Sequence, residues 1–237
     1  MSGHSKWSQI KHKKGAADKK KGQLFSKLAR SITIAARDGT DPGSNFKLRL
    51  AIEQARAAAM PKENIERAIE KAAGTEGQAL EHATYEGFGP FATAFIVEAA
   101  TDSRNRTSSE IRHLFEKHAG SLGQPNSVAW NFENKGLLLV EKSGKTDSEL
   151  ELAAIEAGAE DVKISPEGLE VSTTPLDLHS VKTKLETEGL KVVSAELIRE
   201  AKSLVKLDDK QKQQVQTLVD ALNEHDDVIA VYTSAEL

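Results

Sequence analysis

The sequence predicts an α+β protein of three domains: an N-terminal three-helix bundle and two ferredoxin-like βαββαβ units, one inserted in the other. Two observations predict this fold class. Apolar residues recur with the helical period up to about residue 77, and beyond residue 78 short apolar runs typical of strands alternate with helical segments. With 237 residues and a hydrophobic content of 38%, the chain is long enough for about two to three small domains.

Three helices are expected in the first third of the chain. The first begins at residue 23, because Leu24, Leu28 and Ile32 recur every four residues on one stripe. Glycine and proline at positions 39–43 end this helix. A second amphipathic helix follows and stops before Pro61, which suits the first turn of a third helix.

Residues 136–198 read as strand, helix, strand, strand, helix, strand, which is the order of the ferredoxin-like plan. The predicted strands lie at residues 136–140, 162–164, 169–171 and 192–198. Helices are predicted from residue 147 to 158 and from residue 178 to 189, each closed by a glycine.

The remaining segments form a second βαββαβ unit if residues 136–198 interrupt it. Their predicted elements are a strand at 91–99, a helix at 104–118, strands at 127–132 and 203–207, a helix around 215–222 and a strand at 228–232. Two consecutive α+β domains of unrelated topology are the alternative. We favour nesting because neither leftover segment alone has enough strands to bury a sheet face.

The expected domain organisation follows from these elements. A basic arm at residues 1–22 precedes a helical domain at 23–77, and residues 75–78, at the boundary with the next domain, are predicted to be a linker. A discontinuous α+β middle domain takes residues 78–133 and 202–237, and residues 134–201 form the inserted α+β domain.

Positive charge is concentrated at the N-terminus of an otherwise acidic chain. Residues 1–37 contain ten Lys and Arg against the single acid Asp18, a net charge of +9, while the remaining residues sum to −13. A dense cationic segment attracts a polyanion, and nucleic acid is the obvious one. Trp7, a flat ring among cations, suits base stacking. The alternatives are a solvated tail that aids solubility, or a Trp7 that docks on the neighbouring domain.

Composition and spacing argue against several other classes of protein. The chain has no cysteine, which excludes disulfides and thiolate sites and fits a reducing cytosol, so we expect a cytoplasmic protein. No window approaches a membrane span, and no hydrophobic run follows the basic start, so neither a membrane partner nor a secretory signal is expected. His113 and His118 are five residues apart, which does not suit a helical metal site. We expect no catalytic residues, no metal and no cofactor.

Aromatic residues are distributed unevenly between the two α+β units. The predicted strands of the inserted unit offer no aromatic ring, and its helices are acidic, so a role in protein contact or positioning is expected there rather than RNA binding. In the middle domain, Phe91, Phe95 and Trp130 could form core or a base-stacking platform. Their apolar neighbours favour the core.

Long motifs along the whole chain resemble the YebC/PmpR family, which includes the mitochondrial translational activator of cytochrome oxidase. They are MSGHSKWSQIKHKK at 1–14, MPKENIERAI at 60–69, YEGFGP at 85–90, TDSRNRT at 101–107, GSLG at 120–123 and SVAW at 127–130. The resemblance implies a helical N-terminal domain, an α+β middle domain and an α+β domain inserted into it. Two positions depart from the family pattern: Phe91, where relatives often have glycine, and Ser103, where they often have asparagine.

The resemblance also implies a function in gene expression. The family is generally named as DNA-binding transcriptional regulators. Its members are also described as acting on the ribosome, where they relieve stalling at proline-rich sequences. We therefore expect a non-enzymatic nucleic-acid-binding regulator whose partner is duplex DNA or ribosomal RNA. The alternatives are a ribosome-associated translation factor and a protein-interaction adaptor with a soluble tail.

Arg104 and Arg106 are candidates for a second phosphate contact. With Asp102 or Ser103 as N-cap, both arginines fall in the first turn of a helix, where a bound phosphate offsets their unfavourable interaction with the helix dipole. The alternative is structural pairing with Asp102 or Glu110. The complete set of expected nucleic-acid-binding residues is Lys6, Trp7, Lys11, His12, Lys13, Lys14, Lys19, Lys20, Lys21, Lys27, Arg30, Arg104 and Arg106.

Overall fold

The structure is a computed structural model that describes residues 18–73, 80–142 and 144–237, with the side chains of 18–20 and 73 left out. The basic arm up to residue 17 and the predicted linker at 75–78 lie outside the described residues. The helices are α1 (Asp18–Ala36), α2 (Phe46–Ala57), α3 (Lys62–Ala73), α4 (Arg104–Lys117), α5 (Asp147–Ala157), α6 (Leu178–Thr187) and α7 (Asp209–Glu224). The strands are β1 (Glu81–Phe88), β2 (Ala94–Thr101), β3 (Ser121–Leu122), β4 (Phe132–Glu141), β5 (Asp161–Ile164), β6 (Gly168–Thr173), β7 (Val192–Ala201) and β8 (Val228–Thr233).

Helices α1, α2 and α3 pack around one apolar core, as their periodicity predicts. Ile32 of α1, Leu48 and Ala55 of α2 and Ile65 of α3 are buried in it. Asn45 connects the first two helices, because its side-chain oxygen caps α2 by accepting the Leu48 N–H while its amide donates to carbonyls at the end of α1. Capping and apolar burial therefore fix the same arrangement.

The first sheet has the strand order β3-β1-β2-β8, with antiparallel pairing between neighbours. Helices α4 and α7 supply Ile111, Phe115 and Leu218 to the core beneath it, where Phe95 of β2 is fully buried. The rings of Phe95 and Phe115 meet edge to face with centroids 5.7 Å apart. Helices α1 to α3 belong to the same compact unit as this sheet.

Residues 133–200 form the second compact unit. Its sheet order, β5-β6-β4-β7, with one helix after β4 and another after β6, is that of the ferredoxin-like plan. Helix α5 begins with a capping box between Thr146 and Glu149 and ends at Gly158 in the left-handed conformation. The predicted βαββαβ order of this segment and the α+β fold class are confirmed.

The middle domain differs from prediction in its strands. Strand β1 was not predicted, because its polar residues and Gly87 conceal the alternation of apolar and polar side chains that marks a strand. β1 pairs with β2, so the order of elements in the middle domain is ββαβ before the insertion and αβ after it. The strand predicted at 127–132 is wrong: residues Ala129–Asn131 form a 3₁₀ turn, and only Phe132 begins a strand. The strand predicted at 203–207 is reduced to one bridge between Val205 and Ala235.

The strand predicted at 91–99 begins later, at Ala94. Pro90 starts a 3₁₀ turn in which Phe91 and Ala92 have φ of 60° and 56°. This left-handed region suits glycine and is rare for other residues, so the turn is strained at Phe91 and Ala92.

Among the described residues, no helix combines the length and the apolar character that a bilayer crossing requires.

Candidate nucleic-acid interface

Two of the predicted site arginines converge on the buried carboxylate of Asp227, at the start of β8. Arg30 Nη1 of α1 lies 3.0 Å from Asp227 Oδ1, and Arg106 Nη2 of α4 lies 2.8 Å from Asp227 Oδ2. The Thr107 hydroxyl donates to Asp227 Oδ2 at 2.6 Å. The Asp227 side chain is only 4% exposed, so these partners replace water around its charge.

The pKa shifts agree with an ionised cluster. Burial by itself would raise the pKa of Asp227, but the hydrogen bonds from Thr107 and Arg106 and the charge of Arg30 outweigh it and hold that pKa below its ordinary value. The hydrogen bond to Asp227, followed by that to Asp102, raises the pKa of Arg106 above its ordinary value. Arg106 and Asp227 therefore stay charged at neutral pH.

Arg104, the other predicted phosphate contact, lies at the surface. Its Nε donates to Glu81 Oε2 at 2.6 Å and its Nη2 to the His82 carbonyl at 3.1 Å. Its side chain is 63% exposed. Ser103 occupies the N-cap position without a side-chain capping bond, and the first turn of α4 contains no acid.

The structural pairing considered for these arginines is present in part. Arg106 pairs with Asp102 at 2.8 Å in addition to Asp227. Glu110, the other acid considered, lies 2.9 Å from His225 Nε2 instead. Arg30, Arg104 and Arg106 are each matched by a carboxylate, so the cluster alone has little excess positive charge.

The cationic residues of α1 divide into two groups. Lys27 donates to the carbonyl of Asn223, and Arg30 donates to that of Ala100 at 2.6 Å, so both tie α1 to the middle domain. Lys21 is exposed, with its ammonium 5.6 Å from the centre of the Phe25 ring. Lys19 and Lys20 lie in the helix, but their side chains are outside the description. The remaining predicted residues lie outside the described chain: Lys6, Trp7, Lys11, His12, Lys13 and Lys14.

The middle-domain aromatics do not all enter the core. Phe95 is fully buried, as predicted, but the core assignment is wrong for Trp130, which is 70% exposed, and Phe91 is 41% exposed. Trp130 stands in the 3₁₀ turn that replaces the predicted strand. The signal for an exposed loop is the group of turn-forming and polar residues around it, Gln124-Pro125-Asn126-Ser127 and Asn131.

Glu110, His225 and Asp227 form a group with ligand atoms within 4.8 Å of one another, the spacing of a possible metal site. Each is already engaged. His225 Nδ1 accepts the Asp227 N–H at 3.1 Å, which places the ring proton on Nε2, facing Glu110. The two guanidinium groups at Asp227 would also repel a cation, so we interpret the group as a hydrogen-bond network.

Residues 5–75 match the TACO1/YebC protein N-terminal domain, and residues 80–235 match the TACO1/YebC second and third domain. The chain belongs to the TACO1/YebC family. The resemblance seen in its motifs is thereby confirmed.

Relatives of the family match over nearly their whole length. A protein of Desulfosudis oleivorans is 50% identical to this chain, and the match spans all of this chain and 97% of that protein. A protein of Dictyoglomus thermophilum is 48% identical, and the match spans all of this chain and 96% of that protein. Each is named a probable transcriptional regulatory protein. The crystal structure of a conserved hypothetical protein, Aq1575, from Aquifex aeolicus superimposes with a TM-score of 0.88 at 45% identity, covering 98% of this chain and 96% of that one.

Proposed function

We propose that this TACO1/YebC-family chain is a non-enzymatic regulator of gene expression that binds nucleic acid through its basic N-terminal segment. The observation that carries the proposal is the separation of charge, +9 over residues 1–37 against −13 over the rest. Neutralising phosphates with such a segment releases counterions and drives binding, while the acidic remainder keeps the polyanion from adhering elsewhere. The names of the relatives support a regulatory role.

Contacts of α1 with the middle domain hold the C-terminal part of the basic segment in place. Lys27 and Arg30 hold α1 against the middle domain through the Asn223 and Ala100 carbonyls and the Asp227 carboxylate. Lys21, on the first turns of α1, faces solvent. We therefore assign phosphate neutralisation to the lysines from Lys6 to Lys21, and a structural role to Lys27, Arg30 and Arg106.

With Arg106 given a structural role, Arg104 is the residue that this proposal keeps as a phosphate contact outside the arm. Its partner Glu81 is itself 55% exposed, and an ion pair between exposed groups is worth about 1 kcal/mol at most. A phosphate at the N-terminus of α4 would gain the Arg104 guanidinium together with the unsatisfied N–H groups of a turn that contains no acid.

Lysine acts as a point charge and reads little sequence, so the arm suits duplex DNA and folded RNA alike. The alternative function is accordingly a ribosome-associated translation factor that binds ribosomal RNA and relieves stalling at proline-rich sequences. Cosedimentation with ribosomes at physiological salt separates the two. Migration with ribosomal particles favours the translation factor, and absence from them together with duplex binding favours the DNA-binding regulator.

Replacing Lys11, Lys13 and Lys14 together by Ala is expected to weaken binding and flatten its salt dependence. Three lost phosphate contacts reduce the slope of log affinity against log salt by about 2.7 on duplex DNA. Fluorescence anisotropy over a series of salt concentrations measures this slope.

The matched control replaces Lys142, Lys163 and Lys191 by Ala. It removes the same charge as the arm variant, but from residues of the second compact unit that pair with acids. The slope of log affinity against log salt should stay as in the wild type. Equal slopes for the arm variant and the wild type, or no binding to any nucleic acid at physiological salt, would contradict the proposed function and favour an adaptor.

A further inference from the structure

Trp130 presents its ring to solvent and its polar group to the protein. The residue is 70% exposed, yet its indole N–H donates to the Ser127 carbonyl at 3.1 Å. A tryptophan at a protein surface ordinarily buries its ring and leaves the N–H near water. The reverse arrangement gives up the burial of a large apolar surface, so it calls for a partner that covers the ring.

The turn that carries Trp130 is held from one side by a buried acid. Glu86 of β1, only 8% exposed, accepts the N–H groups of Asn126, Val128 and Ala129 at 2.7, 2.8 and 2.8 Å. Bonds from backbone N–H groups to a carboxylate are among the stronger hydrogen bonds in proteins. The loop that leads to Trp130 is thereby fixed.

The other side of the turn is held by the segment that follows β7. The Asn131 carbonyl accepts the Lys202 N–H at 2.7 Å, and the Asn131 side chain makes two bonds to the backbone of Ser203, at 3.2 and 3.1 Å. The ring therefore projects from a backbone anchored on both flanks. Such pre-organisation lowers the entropy lost when a ligand binds.

A lysine is bonded to the backbone of the residue that carries the exposed ring. Lys202 Nζ donates to the Trp130 carbonyl at 3.3 Å, and its side chain is exposed. Lys206 is exposed as well, and residues 202–206 contain two lysines and no acid. An exposed aromatic ring whose adjoining segment supplies exposed lysines is a combination that can bind a base together with its phosphate.

We propose that Trp130 stacks on an unpaired nucleobase while Lys202 and Lys206 neutralise the adjoining phosphates. The inference rests on the proposed function and adds a second site to it. A base inside a duplex has both faces occupied, so this site requires an unpaired nucleotide in RNA or DNA. It thus supplies a selectivity that the lysines of the arm lack.

The test uses the full chain with Trp7→Phe, which leaves Trp130 as the one tryptophan and keeps a ring at position 7. The probes are a 12-nucleotide RNA, the DNA of the same sequence and the blunt DNA duplex. We expect the single strands to quench Trp130 fluorescence and the duplex to leave it unchanged. Quenching by RNA alone would assign the site to unpaired RNA, and quenching by both would assign it to single strands in general.

Affinities provide the second readout. Trp130→Ala should bind the single strands about tenfold more weakly, within the range for one base–aromatic stack, while Trp130→Phe recovers most of the loss and duplex affinity stays the same. The control Leu176→Ala removes a side chain of a residue that is 92% exposed and should change nothing. Unchanged fluorescence and unchanged affinity of Trp130→Ala would overturn the stacking site and leave the proposed function standing. Failure of the wild type to bind any of the probes would contradict both.

Discussion

Replacing Asp227 by Asn is expected to lower the free energy of unfolding by about 3 kcal/mol, the lower end of the range for breaking a buried ion pair. The carboxylate is 4% exposed and neutralises Arg30 and Arg106, which are 26% and 47% exposed. The amide removes that charge and turns its own N–H groups toward cations. Solvent around the two arginines keeps the loss from being larger.

Urea unfolding followed by circular dichroism measures this loss for the unit that contains Asp227. The matched control is Asp38→Asn, because the Asp38 side chain is 67% exposed and pairs with Lys47 at 3.5 Å. We expect the control to change stability by less than about 0.5 kcal/mol. Equal unfolding midpoints for the two variants would show that Asp227 does not join α1 to the middle domain as described.

The contribution of Asp227 should also depend on pH, with a defined sign. Because the folded pKa of Asp227 is lowered, its stabilisation is fully present above the unfolded pKa, about 3.9 for Asp, and is lost as the pH falls through the folded pKa. The stability difference between wild type and Asp227→Asn should be constant from about pH 7 to about pH 5 and shrink below about pH 4. A difference that grew on acidification would contradict this reading of the cluster.

Replacing Glu86 by Ala is expected to lower the free energy of unfolding by about 3 kcal/mol, since each buried donor left without an acceptor costs about 1–3 kcal/mol. Three backbone N–H groups depend on this carboxylate. In the variant, water can accept the N–H of Asn126, which is exposed, but not that of Val128, which is buried. Only part of the lost hydrogen bonding is therefore replaced. The turn bearing Trp130 should become mobile as a result.

Amide hydrogen exchange at Asn126, Val128 and Ala129, together with urea unfolding, reports both effects. Glu116→Ala is the control, because Glu116 is an exposed residue near the end of α4 and alanine is a good helix former. Wild-type protection of the three amides in Glu86→Ala would contradict the role assigned to this carboxylate.

Local patterns predicted the helices and the inserted unit well. The stripe of Leu24, Leu28 and Ile32 lies in α1, and the βαββαβ order of residues 136–198 was correct. The errors arose where one distant side chain decides the backbone. Glu86 lies about forty residues from the amides that it binds, so residues 127–132 resemble a strand by composition yet form a turn. Polar residues near Trp130 favour a loop locally, but the carboxylate that stabilises the turn lies outside any local window.

The same limit applies to the candidate site. The concentration of lysine at the N-terminus is visible in the sequence, but the pairing of Arg30 with Asp227 joins residues almost two hundred positions apart. Trp130 was assigned to the core because of its apolar neighbours. The indole N–H bonds the Ser127 carbonyl three residues away, but the Asn131–Ser203 bonds that hold the turn join residues 72 positions apart, which only the folded chain brings together.

The bond between Lys202 N–H and the Asn131 carbonyl, at 2.7 Å, has a consequence for how such a chain could arise. The two points at which the middle domain is interrupted are hydrogen-bonded neighbours, as the ends of a hairpin would be. An ancestral middle domain could have closed this gap with a short turn, and the seventy residues between could have entered later without altering its sheet, since lengthening a loop whose ends stay together adds little closure entropy. The architecture is thus compatible with a history in which a complete folded module was acquired at one turn of an older domain.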